Sequence, residues 1–195
     1  MTGRTADHAV EPMFLERWSP RAFTGEPMPN ECLMSLFEAA RWAPSAFNGQ
    51  PWRFVYAHKG TADWDRLFDV LIPYNQNWVK HASVLLFVVS DRWRRKEGAE
   101  PVPVRSHSFD AGAAWGYLAL QASRMGWAAH GMAGFDVQRA YEAVGASEHD
   151  YCVEAAVAVG RPADPSILDE PYRSREVPSQ RNPLSSFAFE GRLKA

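Results

Sequence analysis

The sequence predicts one domain of the α+β or α/β class, about four strands covered by helices, on three observations. Apolar positions alternate along the chain between helical spacing and strand spacing. One run, Val84-Leu85-Leu86-Phe87-Val88-Val89, is continuously apolar, as expected of a central strand buried on both faces. A chain of 195 residues with 46% hydrophobic and 23% charged residues has the composition of an ordinary globular protein. At this size it buries roughly 70% of its unfolded surface, so the core needs no metal or disulfide staple.

The elements follow in order. Asn30 begins a helix pattern with Leu33, Leu36, Phe37, Ala40 and Ala43 on one face, stopping near Pro44. Trp52, Phe54 and Tyr56 alternate with Arg53, Val55 and Ala57 as a strand. Trp64, Leu67, Phe68 and Leu71 return to helical spacing, which Pro73 closes. After the central strand, Asp91 to Arg105 reads as an exposed connection, either a solvated loop or a substrate wall. Ser106 to Met125 is one long helix in which Gly112 and Gly116 invite close backbone packing, and Gly126 ends it. Asp136 caps a short helix that Gly145 terminates, and Val153 to Val159 forms a further buried strand. Beyond Gly160 five prolines punctuate an arm whose apolar anchors, among them Leu168, Tyr172, Leu184 and Phe187, require a surface; a partner subunit is the expected one.

Charge and motifs exclude more than they name. Twenty-one Lys+Arg against 23 Asp+Glu leave a net charge of −2, with no general attraction to nucleic acid or anionic lipid. No apolar run approaches the ~20 residues of a membrane span, so a soluble, untargeted, cytoplasmic protein is expected. The only two cysteines, Cys32 and Cys152, have no zinc spacing and fit a reducing compartment. The six histidines are scattered, and no metal site is expected. Signatures of P-loop enzymes, Rossmann dehydrogenases, α/β-hydrolases and zincins are absent. A hydrolase built on Ser45 or Ser108 with His107 and Asp110 is disfavoured, because neighbouring side chains on a helix diverge.

Three clusters remain. In Glu16-Arg17-Trp18-Ser19-Pro20-Arg21-Ala22-Phe23, two guanidinium forks flank a hydroxyl, which suits an anion or else a solvated surface turn with ion-paired arginines. Pro44-Ser45-Ala46-Phe47-Asn48-Gly49-Gln50-Pro51 offers polar groups for a heteroaromatic edge or simply turn chemistry. Gly131-Met132-Ala133-Gly134-Phe135-Asp136 places two glycines before a helix N-terminus, where backbone N–H groups meet a ligand edge or anion, or form an ordinary strand-to-helix turn.

In this order the clusters resemble the FMN-dependent nitroreductase family, from about Phe14 to about Phe187. The segment Ala43-Pro44-Ser45-Ala46-Phe47-Asn48-Gly49-Gln50-Pro51-Trp52-Arg53-Phe54 is similar to the family's APS-x-x-N-x-QPW-x-F motif, and Arg17 to Phe23 to its R-x-S-x-R/K-x-F opening. The resemblance implies an α+β nitroreductase-like fold with a central mixed sheet of about four to five strands. Residues 1–160 would form the FMN-binding domain and 161–195 a C-terminal arm exchanged in a homodimer. It also implies FMN at the subunit interface. Arg17, Trp18, Ser19 and Arg21 would contact it from one subunit, with Arg17 on the phosphate and Arg21 near N1 and the C2 carbonyl. Pro44, Ser45, Ala46 and Asn48 would come from the other subunit. Asn75 would meet the pyrimidine side, backbone at Met132, Ala133 and Gly134 would lie near N5, and Arg181 would be a second phosphate ligand. Ala133 and Trp78 stand where some members carry glutamate and lysine. The implied activity is ping-pong transfer of hydride from NADH or NADPH through flavin N5 to a small planar acceptor, a nitroaromatic, quinone or flavin, with no catalytic side chain. The alternative is a flavin-binding or flavin-processing protein without NAD(P)H turnover.

Overall fold

The computed structural model describes residues 3–193. In chain order its elements are α1 (Pro12–Glu16), α2 (Asn30–Arg41), β1 (Trp52–His58), α3 (Ala62–Phe68), α4 (Pro73–Val79), β2 (Val84–Asp91), β3 (Trp93–Arg94), β4 (Val102–Pro103), α5 (His107–Arg124), β5 (Ala128–Met132), α6 (Val137–Val144) and β6 (Tyr151–Gly160). Four strands form one sheet in the order β1-β2-β6-β5. All three pairings are antiparallel, so the expected mixed sheet is corrected to an antiparallel one. A mixed sheet needs a crossover between parallel neighbours, and here each helix-bearing connection delivers the next strand in the opposite sense.

The all-apolar run is β2, buried along its whole length at the centre of three layers. On one face α2 and α5 cover Val84, Leu86, Val88, Ala129, Val157 and Val159. On the other, α3, α4 and α6 cover Leu85, Phe87, Val89, Ala156 and Ala158. This period-two division along β2 is why both faces had to be apolar. None of the helices is long and apolar enough to cross a membrane, among the described residues.

Several local readings change. Pro73 does not close a helix but opens α4, where its fixed φ suits the first turn and its missing N–H costs nothing. The strand β5 had not been expected, because Ala-Ala-His-Gly-Met lacks β-branched residues; pairing with β6 imposes it. The 91–105 connection carries a small hairpin, β3 against β4. Gly112 and Gly116 do not pack closely within the chain: a Cβ at either would meet open space. The arm divides in two. Up to Glu176 it packs on its own chain, burying Leu168, Tyr172 and Glu176 and bridging Phe23 to Pro162. Farther on, Val177, Leu184 and Phe187 are exposed.

Candidate functional site: an arginine pocket opening beside a flat cleft

Arg17, Trp18, Ser19 and Arg21 leave α1 in extended backbone and line a pocket of about 280 Å³ together with Arg4, His130, Arg175, Ser179 and Arg181. Five guanidinium groups thus share one concavity. Arg17 donates to the Ser19 hydroxyl at 3.1 Å, while Arg4 donates to the carbonyls of Arg17 (2.7 Å), Leu15 (3.2 Å) and Ser179 (2.8 Å). Arg181 is held by Ser179 through its carbonyl and hydroxyl. Burial lowers the Arg17 pKa, and the neighbouring charges of Arg4 and Arg181 lower it further. Like charges gathered this way are stabilised by an anion placed among them.

One carboxylate reaches this segment, and it is already engaged. Glu176, on the arm, accepts from the backbone N–H groups of Arg21 (2.6 Å) and Ala22 (2.8 Å), with Arg21 Nη1 3.8 Å from its other oxygen. It fixes the backbone that carries the arginines and leaves most of the positive charge uncompensated. His130 Nδ1 donates to the Pro20 carbonyl at 2.9 Å, and its ring packs against Trp78 at 4.6 Å with the planes tilted by 36°. Burial pushes its pKa down to about 4, with Arg21 and Arg17 adding to the fall, so the imidazole is neutral at physiological pH.

Arg17 and Ser19 also line a second, open cleft of about 560 Å³. Its walls come from α5 (Trp115, Gly116, Ala119, Leu120) and from the end of β5 (Gly131, Met132, Ala133). Gly116 and Ala119 keep the α5 wall low between the larger Trp115 and Leu120. The loop after β5 is fixed from below: Asn75 Nδ2 donates to the Gly134 carbonyl at 2.9 Å, and Ile72 N–H donates to the same oxygen at 3.2 Å. A Cβ at Gly134 would stand 2.5 Å from Asn75 Nδ2, so glycine is required by close approach. Asn75 is itself buried and braces the wall. Trp78 is fully buried against Phe23 and His130, and so belongs to the core.

The turn Pro44-Ser45-Ala46-Phe47-Asn48 lies elsewhere. It leads into β1, one edge of the sheet, whereas Met132 ends β5, the other edge. Three inter-strand steps, about 14 Å, separate them across the sheet, so a single chain does not bring these residues together. Asp110 in the first turn of α5 holds the turn by accepting from Ala46 N–H at 3.1 Å and from the Ser106 hydroxyl at 3.0 Å. Ser45 Oγ accepts from Gln50 N–H. Phe47, Asn48 and Gln50 all have φ near +50°, a conformation that costs L-residues of order 1–3 kcal/mol each. His107 and Ser108 meet around Glu154 and the buried Ser90, not around Asp110, so Ser45, His107 and Asp110 form no triad.

The sequence singled out Arg17, Trp18, Ser19, Arg21 and Arg181, and the fold brings all five to one pocket; Met132 and Ala133 line the neighbouring cleft. Arg4, Arg175, His130 and Glu176 were missed. No spacing could have shown them, since the Arg4–Ser179 contact joins positions 175 apart.

Comparison with known proteins agrees with this architecture. The model of the Nitroreductase family matches residues 15–73. A solved oxidoreductase containing FMN is 50% identical, with a TM-score of 0.95 over 100% of this chain and 98% of that one. A protein of Desulfovibrio desulfuricans solved in complex with FMN is 25% identical, with a TM-score of 0.71 over 95% of this chain and 100% of its own. An uncharacterized 15.4 kDa protein of Mycolicibacterium smegmatis is 35% identical over 123 residues, 63% of this chain and 79% of its own length. The chain belongs to the nitroreductase family.

Proposed function

We propose that the protein is an FMN-dependent oxidoreductase that takes electrons from NADH or NADPH and passes them to a small planar acceptor. The observation that carries this reading is the pairing of an uncompensated arginine pocket with a flat, apolar-walled cleft through the shared residues Arg17 and Ser19. A phosphate ester fits the first and a planar ring the second. FMN supplies the two-electron chemistry when bound.

The chain's own residues do the rest. Arg17, Arg181 and Ser19 hold the phosphate, with Arg4 and Arg175 adding charge around it. Arg21 offers a cation, 3.8 Å from Glu176, that would stabilise negative charge on the reduced cofactor and so raise its potential. Met132, Ala133 and Gly134 would form the wall beside the ring, and Asn75 keeps that wall in register. Trp18 lines the phosphate side.

Pro44, Ser45, Ala46 and Asn48 complete the site from the second subunit of a homodimer. Their position at the opposite sheet edge supports this, as does the open apolar surface of α5: Phe109 is 82% exposed, and Gly112 and Gly116 leave bare backbone beside it. In this reading residues 1–160 are the FMN-binding domain, and the outer part of the 161–195 arm crosses to the partner. Two unpaired cysteines fit a cytoplasmic setting.

The test is an absorption spectrum of the purified protein followed by anaerobic addition of NADH or NADPH. Flavin bands that bleach and return with a nitroaromatic or quinone support the reading. Bound flavin that stays oxidised selects a flavin-binding or flavin-processing role, and a colourless protein that cannot be reconstituted with FMN overturns the cofactor assignment.

A further inference from the structure

A separate cavity of about 260 Å³ lies between the 46–51 turn and the β3–β4 hairpin. Its apolar walls include Phe47, Pro51, Trp93 and Pro103, and two guanidinium groups, Arg53 and Arg94, reach it. The two cations differ. Arg53 is spent: it donates to the carbonyls of Gln50 and Trp52 and pairs with Asp91 at 3.3 Å. The Arg94 guanidinium makes no hydrogen bond or ion pair among the described residues and lies over the Phe47 ring at 5.2 Å from the centroid, while the Arg94 backbone pairs with Val102.

The hairpin that carries Arg94 is a fixed structure. Asp91 is bound by Arg95 at 2.7 Å, Arg95 reaches Asp150 at 2.8 Å, and Val104 N–H donates to the Arg92 carbonyl at 2.8 Å. Opposite it, Phe47 is 90% exposed and held in left-handed backbone. A large apolar ring kept in a strained, solvated position, under a cation with no counter-charge, is costly for the folded chain alone. Both costs fall if a flat anionic ligand enters: the ring gains a stacking partner and the guanidinium a carboxylate.

We propose that this cavity is the acceptor subsite and selects planar aromatic carboxylates, with Arg94 binding the carboxylate and Phe47 and Trp93 the ring. The inference rests on the oxidoreductase reading, in that Ala46, which lines this cavity, belongs to the turn assigned above to the partner's cofactor site. It names the substrate class that reading leaves open.

Calorimetric titration with 4-nitrobenzoate and with neutral 4-nitrobenzyl alcohol tests it directly, without turnover. The wild-type protein binds the carboxylate at least about tenfold more tightly, with an affinity that falls as salt rises. R94Q removes the preference and R94E reverses it, while R94K retains part of it because charge survives without the planar fork. Since the Arg94 side chain has no hydrogen-bond or ion-pair partner among the described residues, these variants remain folded, which circular dichroism verifies. The ratio of kcat/KM for the two acceptors shifts in parallel. Equal binding of the two probes, or a preference that R94Q leaves intact, overturns the proposal. So does an R94Q effect confined to the KM of NADPH relative to NADH, which would give the cation to the donor's phosphate. Loss of FMN binding would sink the oxidoreductase reading instead, and the titration would still decide the subsite.

Discussion

Arg17 stands where burial and two like charges already depress its pKa, so removing it affects affinity more than fold. Arg17→Ala is expected to weaken FMN binding about 10- to 100-fold, the loss of one charge-assisted partner. Flavin titration reads this, and unchanged affinity would remove Arg17 from the phosphate site. His130 supplies a pH dependence of definite sign. Its native pKa of about 4 lies below the roughly 6.5 of the unfolded chain. The unfolded state therefore binds the extra proton, and the native state is favoured above pH 6.5 and loses that advantage as pH falls toward 4. Denaturant unfolding of the flavin-free protein across this window should show a loss of about 3 kcal/mol that His130→Asn largely removes. Parallel slopes for variant and wild type would show that the imidazole is not kept neutral. These two residues also mark how far sequence carries. Arg17 was legible because its partners Ser19 and Arg21 lie within four positions. His130 was not, since its partners Pro20 and Trp78 are distant and a histidine in a strand carries no sign of what packs on it.

Among the elements, α5 and β2 were legible because each has one unbroken period. The strand β5 and helix α4 were not, because tertiary pairing and a proline at a helix start override local preference. Their junction is where the cleft wall is made, with Gly134 packed under Ile72 and Asn75. Gly134→Ala should displace Asn75 or Ile72 and destabilise the protein by about 1–3 kcal/mol, with a matching loss of flavin retention. Chemical denaturation measures the first and ultrafiltration of the holoprotein the second. An alanine variant of wild-type stability would mean the loop yields freely and does not define the wall.

For the whole molecule, the arm divides into a buried inner part and an exposed outer part that its composition did not separate. Its proline punctuation suggested a strap for a partner, whereas Leu168 and Tyr172 are buried in their own chain and the Tyr172 hydroxyl donates to the Tyr74 carbonyl at 2.9 Å. Two truncations distinguish the parts. Ending the chain before Pro162 removes core residues and should lower stability by more than about 4 kcal/mol. Ending it before Val177 keeps that packing but removes Arg181, and should yield a folded protein that sediments as a monomer and releases FMN. A dimer that still holds FMN after the shorter cut would show the outer arm to be dispensable.

The contact between Arg4 and Ser179 also has a temporal meaning. It closes a loop spanning 175 positions, an ordering step that costs several kcal/mol of chain entropy before any contact is made. A ribosome must deliver Arg181 before the arginine pocket is complete. The same closure would set how long a ligand held there stays. Fraying of the segments around residues 4 and 180 would open the pocket without unfolding the sheet, so residence time would be governed by the least stable contacts of the fold and not by its core.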